Sequence, residues 1–178
     1  MQKQLNHYEF KEQQKTHKTH LIFILENLEH AENIGSAFRL ADAFNIEKIY
    51  IVTTGNLSFE KINKTARSCQ NVVEFEICNN IQDIIYKLQK QNYSIYNLEI
   101  TSTSLPLREV DFSNKKIALI AGNEKHGVSE KSLSLVDDSI HIDMYGNNSS
   151  MNVITALSIA TYKISEDQYK KGEWFYVW

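Results

Sequence analysis

The sequence predicts an α/β protein with a mostly parallel sheet flanked by helices, and three observations lead to that prediction. Short apolar runs alternate with segments of helical character along the 178 residues. This order is typical of parallel strands joined by helices that cover both faces of a sheet. The run LIFIL at 21–25 is apolar throughout, as a fully buried strand is. The chain also has no internal repeat and no convincing linker, and its length suits one domain.

The first half of the chain contains three predicted strands and three predicted helices. The strands are the apolar runs at 21–25, 46–52 and 72–77. The turn TTGN follows the second of them. The first and third helices place their apolar residues on one side, as a helical wheel requires. The helices are predicted at 33–44, from Ser58 onward in SFEKINKTARSC, and at 80–92.

The second half continues the same alternation. A loop that carries the only proline, Pro106, joins two of the strands, and one helix is predicted at 127–138. The last helix, MNVITALSIATYKI at 151–164, is apolar on nearly all sides, so it is either buried everywhere or shared with another subunit. The strands in this half are predicted at 93–100, 115–122 and 139–144.

Composition narrows the function classes. The net charge of −3 gives no support to bulk affinity for nucleic acid, so any RNA contact must come from a local basic patch. Cys69 and Cys78 show neither a metal-ligand spacing nor a disulfide framework, which favours the reducing cytoplasm. No apolar run approaches the roughly 18 residues of a membrane span. No GxGxxG follows the first strand, which disfavours a dinucleotide-dependent oxidoreductase.

The first notable motif is the segment NIGSAFRLAD, which places Arg39 on the polar side of its helix. Two interpretations stay open at this point. Arg39 either forms a solvated ion pair with Asp42, three residues on, or is held over a cleft at the strand ends, where Gly35 permits close approach. A guanidinium suits the second role because it donates a planar fork of hydrogen bonds to phosphate.

Two further motifs follow later in the chain. In AGNEKHGVSE at 121–130, Gly122 and Gly127 flank a polar loop, which is either a tight strand-to-helix connection or a place where backbone approaches a ligand. In GNNSSMNVITALSIATYKI at 146–164, Ser150 is the predicted N-cap of the last helix. A capped core helix explains the apolar part of this segment, but it leaves the polar run before it unexplained.

Three segments of the chain, taken in order, resemble the three motifs of the SpoU (TrmH-type) RNA 2′-O-ribose methyltransferases of the SPOUT superfamily. These segments are NIGSAFRLAD, ALIAGNEKHGVS and IDMYGNNSSMNVITALSIA. The resemblance covers roughly residues 20–165. It implies an α/β domain whose C-terminal part forms a deep trefoil knot, and a homodimer with the active site at the subunit interface. It also implies S-adenosylmethionine as methyl donor and RNA as substrate, with no metal. The domains are then a polar extension at 1–20, the methyltransferase domain at 21–166 and an aromatic tail at 167–178.

The resemblance also implies roles for individual residues. Arg39 would grip the RNA phosphate and stabilise the developing alkoxide, because an arginine does not normally lose its proton. The proton acceptor stays open between the phosphate, a polarised water and Ser150. Asn33 would orient Arg39 or the ribose, while Glu124 and Asn152 would order the loops of the second and third motifs. The residues implied in donor binding are Leu98, Gly122, Ile142, Ser150 and Met151.

Target recognition is predicted to use a basic stripe. Lys61, Lys64 and Arg67 recur every three residues on the second helix, and such a stripe is either a phosphate-binding surface or an ordinary solvated face. We favour tRNA as substrate and keep rRNA and a non-catalytic RNA-binding relative as alternatives. One departure from the family pattern is Asp143, where many relatives have proline, and this carboxylate is expected near the donor pocket.

Overall fold

The fold is described from a computed structural model, which describes residue 4 and residues 19–113 and 115–170. Most of the predicted N-terminal extension and most of the predicted aromatic tail lie outside the described residues. Within the described part, seven strands form one sheet in the order β3-β2-β1-β6-β4-β7-β5, and every neighbouring pair is parallel. The strands are β1 (Thr19–Glu26), β2 (Ile46–Val52), β3 (Phe75–Cys78), β4 (Tyr93–Leu98), β5 (Leu105–Pro106), β6 (Lys116–Ala121) and β7 (Asp138–His141).

Five α-helices are described, and they lie between the strands or after the last one. Two short 3₁₀ helices follow α2 and β5. None of the helices in the described part is both long and apolar enough to cross a membrane. The α-helices are α1 (Ala31–Ala43), α2 (Phe59–Ala66), α3 (Ile81–Lys90), α4 (Glu130–Leu135) and α5 (Val153–Lys170).

The prediction of a mostly parallel sheet flanked by helices is confirmed, with local differences. Strand β5 was not predicted, because two residues are too short to show any periodicity. Helix α2 ends at Ala66, since Arg67 and Ser68 adopt left-handed backbone conformations, with φ of 49° and 71°. Helix α5 begins at Val153, two residues later than predicted, and continues beyond the predicted domain end at residue 166.

The core has two layers, one on each face of the sheet. Alternate residues of a strand point to opposite faces, so Phe23 contributes to one layer and Ile24 to the other. The first layer lies under α1, α2 and α5 and includes the fully buried Phe38. The second lies under α3 and includes Ile85 and Leu88. Burial on both faces explains why the central strands are apolar throughout.

The topology brings distant segments to one edge of the sheet. The carboxyl ends of parallel strands lie together, so the loops after β1, β4, β6 and β7 gather at that edge. Strand β7 lies between β4 and β5, and Ile140 pairs with Leu98 on one side and Leu105 on the other. The connection from β4 to β5 therefore passes over the end of β7, close to the start of the third motif.

Candidate active site

A cleft of about 470 Å³ opens at the carboxyl edge of the sheet. Its walls come from the loops after β4, β6 and β7 and from the beginnings of α1 and α5. It is lined by residues of all three sequence motifs, including Asn33, Glu124 and Asn152. All of the residues implied in donor binding also line it, namely Leu98, Gly122, Ile142, Ser150 and Met151.

Asn33 joins the three motifs through hydrogen bonds. Its side-chain nitrogen Nδ2 donates to Glu124 Oε1 at 2.7 Å. Its oxygen Oδ1 accepts from Asn152 Nδ2 at 3.3 Å. The amide of Asn33 therefore uses both of its ends, and the start of α1 is connected to the loop after β6 and to the start of α5. This arrangement fixes three loops of the cleft relative to one another.

Glu124 holds the start of α1 through backbone contacts as well. The N–H of Glu29 donates to Glu124 Oε2 at 3.0 Å, and the N–H of His30 donates to Oε1 at 3.2 Å. Partial burial acts to raise the pKa of Glu124, but the hydrogen bonds from Glu29, Asn33 and His30 favour the ionised form and lower the pKa overall. The Glu124 carboxylate is thus a negative charge held at the N-terminus of α1. It caps the helix there, because the side chain of the N-cap residue, His30, forms no capping hydrogen bond.

The third motif begins α5 in a different way from the prediction. Asn152 caps the helix, since its Oδ1 accepts from Ile154 N at 2.8 Å and from Thr155 N at 3.3 Å. The predicted N-cap, Ser150, is therefore wrong: the helix begins at Val153, and a cap has to stand one residue before it. Ser150 instead lines the cleft with an exposed side chain.

The loop of the second motif is a tight hairpin in which both glycines lie close to neighbouring atoms. Asn123 and Gly127 exchange two backbone hydrogen bonds of 2.9 Å, and Gly127 has a φ of 67°. A Cβ on Gly122 would lie 2.3 Å from the carbonyl carbon of Gly127. A side chain at Gly122 would therefore push the hairpin apart, and one at Gly127 would meet the carboxylate of Glu99, which explains why the motif places glycine at both.

Several residues of the site were not predicted to lie at the cleft. Glu99 lines the cleft and accepts from Val128 N at 3.2 Å, and Asn123 Nδ2 donates to the carbonyl of Asn27 at 2.8 Å. His141 also lines the cleft, with Nδ1 at 3.0 Å from Ser104 Oγ. A polar residue after a strand is common, so its type alone gives no signal; only the strand order places these side chains at the cleft.

Comparison with known proteins assigns the family. A model of the SpoU rRNA Methylase family matches residues 20–162. The chain belongs to this family. It is 28% identical over 153 residues to the tRNA (guanosine(18)-2′-O)-methyltransferase of Thermus thermophilus, covering 85% of this chain and 77% of that protein.

Solved structures show the same fold. The A. aeolicus TrmH/SpoU tRNA modifying enzyme superposes with a TM-score of 0.77 at 24% identity, covering 87% of this chain and 78% of that one. An AdoMet-bound rRNA methyltransferase from Sinorhizobium meliloti superposes with a TM-score of 0.75 at 19% identity, covering 82% and 56%. The matched region extends from β1 to α5, so the cleft lies within the part that the SpoU family shares.

Arg39 of this SpoU protein does not line the cleft. Its side chain is exposed on α1, near Cys69, and among the described residues it forms no ion pair. The alternative of a pair with Asp42 is not observed either, because Asp42 Oδ2 instead accepts from Cys69 Sγ at 3.6 Å. Within the described part of the chain, Arg39 is therefore an exposed cation without an ion pair.

The predicted basic stripe is also free of partners within the described part of the chain. Lys61, Lys64 and Arg67 are exposed, and no ion pair there involves them. Some other exposed cations do form ion pairs; Lys125, for example, pairs with Glu29 at 3.5 Å. Free cations retain their full attraction for phosphate, so the stripe is suited to contact RNA.

Asp143, the departure from the family pattern, points away from the cleft. Its carboxylate pairs with Arg108 in the 3₁₀ helix after β5, while its neighbours Ile142 and Met144 line the cleft. The hydrogen bond from Arg108 lowers the pKa of Asp143. The expectation of a carboxylate that acts on the donor pocket is thus replaced by a link between the third-motif loop and the segment after β5.

No group of three or more His, Cys, Asp or Glu side chains in the described ranges is arranged to hold a metal.

Proposed function

We propose that this protein transfers a methyl group from S-adenosylmethionine to a ribose 2′-hydroxyl in structured RNA, with tRNA as the main substrate. The observation that carries the proposal is the cleft in which Asn33, Glu124 and Asn152 join the three SpoU motifs by hydrogen bonds. The relative from Thermus thermophilus, named a tRNA (guanosine(18)-2′-O)-methyltransferase, supports both the reaction and the substrate class.

The residues of the cleft fit the donor. A volume of about 470 Å³ lies in the range of small-molecule sites. Leu98, Ile142 and Met151 offer apolar walls for an adenine ring, and the hairpin at Gly122 and Gly127 offers backbone groups without side chains in the way. When bound, the donor supplies an electrophilic methyl group. In the same proposal, Ser150 contributes a hydroxyl to the rim of this site.

The catalytic roles follow from charge and geometry. Arg39 holds the phosphate beside the target ribose and stabilises negative charge that develops on the 2′-oxygen. Asn33, Glu124 and Asn152 act as positioning residues, because their hydrogen bonds connect the loops that align donor and ribose. Alignment supplies much of the acceleration in a reaction that depends on in-line displacement. Lys61, Lys64 and Arg67 hold the RNA backbone on the approach to the site.

The proposed assembly is a homodimer whose active sites lie at the subunit interface. Arg39 does not line the cleft of its own subunit, so in this arrangement it reaches the cleft of the partner. Helix α5 supports the assembly, because the large side chains of Ile159 and Tyr162 are 41% and 61% exposed on it. We further propose that residues 21–166 form the methyltransferase domain in the cytoplasm and that β7 and α5 belong to a trefoil knot. The position of β7 between β4 and β5 supports that threading.

The proposal is tested with purified protein, donor carrying a labelled methyl group, and separate tRNA and rRNA fractions. Label should enter tRNA. The phosphodiester bond that follows the labelled nucleotide should resist alkaline hydrolysis, because a methylated 2′-oxygen cannot attack the adjacent phosphate. Arg39→Ala should lower turnover by about 100-fold or more while leaving donor affinity unchanged. Asp42→Ala, which removes an exposed charge from the same helix, is the matched control and should retain activity. Normal turnover by Arg39→Ala contradicts the role of Arg39.

A second candidate substrate is rRNA. The matched family bears the name rRNA Methylase, and the similar structure from Sinorhizobium meliloti is an rRNA methyltransferase. Label in rRNA alone would select this substrate. Donor binding without transfer to either fraction would instead indicate a non-catalytic RNA-binding relative.

A further inference from the structure

A second cleft of about 440 Å³ adjoins the donor cleft. Its walls come from the loops after β1 and β2 and from the beginnings of α1 and α2. It shares His30 and Asn123 with the donor cleft, and on its other side it includes Lys61, the first residue of the basic stripe. This cleft therefore lies between the proposed methyl donor site and the proposed RNA backbone contacts.

Three polar residues of this second cleft have side chains that form no hydrogen bond or ion pair in the described part of the chain. The amides of Asn27 and Asn56 line it and have no partner among the described residues, and the same holds for the Lys61 ammonium. In the donor cleft, by contrast, the Asn33 amide is used at both ends. The second cleft thus presents donors and acceptors that are available to a ligand.

The backbone holds Asn27 rigidly at the edge of this cleft. Its N–H donates to Val52 O at 2.8 Å, and its carbonyl accepts from Asn123 Nδ2 at 2.8 Å. Its φ of 54° is left-handed, a conformation that asparagine tolerates better than most residues. The loop after β1 is thus tied to β2 and to the second-motif hairpin, so Asn27 presents its free amide from a fixed position.

The charges around the cleft favour a neutral group over a free anion. Glu29 and Glu32 stand on its α1 side, and Glu29 is held by Lys125 at 3.5 Å and by Asn123 Nδ2 at 3.3 Å. Lys61 is the cation on the α2 side. A nucleotide matches this distribution of charge if its uncharged base lies beside the asparagines and its phosphate lies toward Lys61.

We propose that the second cleft binds the base of the RNA nucleotide whose ribose faces the donor cleft. The inference rests on the proposed function and adds the site that recognises the target base. An asparagine amide donates and accepts at once, so it pairs with the edge of an unstacked base, as sequence-specific RNA recognition requires. Asn27 and Asn56 recognise that edge, and Lys61 contacts the adjoining phosphate. The ribose then lies at the junction marked by His30 and Asn123.

The test uses the full chain and the RNA in which its methylation has been mapped. Transcripts are prepared with each of the four bases at the modified position. The variants are Asn27→Gly, which keeps the left-handed backbone accessible, and Asn56→Ala. The control is Asn63→Ala, which removes an exposed amide from α2 that lines neither cleft. Turnover, RNA affinity and donor affinity are measured for each protein.

We expect each cleft variant to raise the KM for RNA by about tenfold and to reduce the preference among the four bases. Donor affinity should stay within about twofold of wild type, and the control should behave as wild type. Unchanged base preference in Asn27→Gly and Asn56→Ala, with an active wild type, overturns the inference and leaves the proposed function intact.

Absence of transfer by the wild type counts against the proposed function instead. In that case the RNA affinities decide about the second cleft. Weaker binding by the two cleft variants but not by Asn63→Ala supports a nucleotide site there, and equal binding by all four proteins overturns it.

Discussion

Glu124 connects the second-motif loop to the start of α1 through three hydrogen bonds. Its carboxylate accepts hydrogen bonds from the backbone of Glu29 and His30 and from the Asn33 side chain. Burial acts to raise the pKa of Glu124, and these hydrogen bonds outweigh it, so the folded-state pKa lies below the ordinary value of 4.5. A group with a depressed folded-state pKa stabilises the fold above its unfolded-state pKa and loses that contribution as pH falls through the folded-state pKa.

We therefore predict that Glu124→Gln lowers the free energy of unfolding by an amount that depends on pH. The free energy of unfolding should be lower than that of wild type by a constant amount at neutral pH, because the neutral amide leaves one backbone N–H with a poorer partner. The difference should shrink below pH 4.5, where the wild-type carboxylate gains its proton. Urea unfolding of both proteins from neutral to acidic pH measures it. A difference that stays the same at acidic pH would show that the Glu124 charge contributes nothing.

Gly127 is a second residue with a specific physical requirement. Its φ of 67° is left-handed, and a Cβ there would lie 2.2 Å from Glu99 Oε2. We predict that Gly127→Ala destabilises the protein by more than the ~1 kcal/mol of the backbone conformation, since Glu99 must also move and release Val128 N. Donor affinity should fall with stability, because Glu99 and Gly127 both line the cleft.

The matched control for this substitution is Gly55→Ala. Gly55 has no positive φ, and the nearest atom to an added Cβ is 3.6 Å away. Its urea midpoint should stay close to that of wild type, whereas the midpoint of Gly127→Ala should fall. Equal midpoints for the two variants would contradict the argument from Gly127.

At the scale of elements, α2 is the part of the fold that we expect to contact RNA. Lys61 and Lys64 on α2 and Arg67 directly after it are exposed, and none of them forms an ion pair in the described residues. Replacing each by glutamine should weaken RNA binding for every sequence and reduce the slope of log affinity against log salt by about one per lost phosphate contact. Filter binding at several salt concentrations measures this slope.

Lys90→Gln is the control for α2. Lys90 is exposed on α3, which packs on the opposite face of the sheet from α2. It should leave both the affinity and the slope unchanged. A slope that responds equally to Lys90→Gln would mean that RNA is held by charge in general and not by α2.

The elements themselves follow from the sequence to different extents. The apolar and alternating runs predict the six longer strands, and the signal is strongest in β1 and β6, which are buried at nearly every position. The end of α2 could not be predicted, since Arg67 and Ser68 adopt a left-handed conformation that their residue types do not favour. Likewise, Asn152 and Ser150 are both good caps by type, and only the point where α5 leaves the cleft selects Asn152.

The residue types of the site can be predicted from the sequence, but the contacts between these residues cannot. The motifs single out Asn33, Glu124 and Asn152, yet 91 and 119 residues separate Asn33 from its two partners. They meet because β1 pairs with β6 and because β7 ends beside β4 at the same edge of the sheet. Local sequence does not encode that strand order, which is also why Glu99 and Asn123 were not predicted to lie at the cleft.

At the scale of the whole molecule, α1 carries one proposed active-site residue that lines the cleft and another that does not. Asn33 is hydrogen-bonded to Glu124 and Asn152 within its own subunit and lines that subunit's cleft. Arg39, on the same helix, does not line that cleft. In the proposed homodimer, a two-fold axis would bring Arg39 of each subunit to the cleft of the other. One helix would then contribute to two active sites.

This arrangement predicts complementation between two inactive variants. Arg39→Ala and Asn33→Ala, with different affinity tags, are co-expressed and the mixed dimers are purified through both tags. If Arg39 acts across the interface, one site of each mixed dimer combines an intact Arg39 with an intact cleft, while the other site has both defects. The mixed dimers should then retain about half of the wild-type turnover, although each parent homodimer is inactive. If Arg39 acts within its own subunit, every site has one defect, and the mixed dimers should be as inactive as the parents. Wild-type chains carrying the same two tags provide the reference turnover.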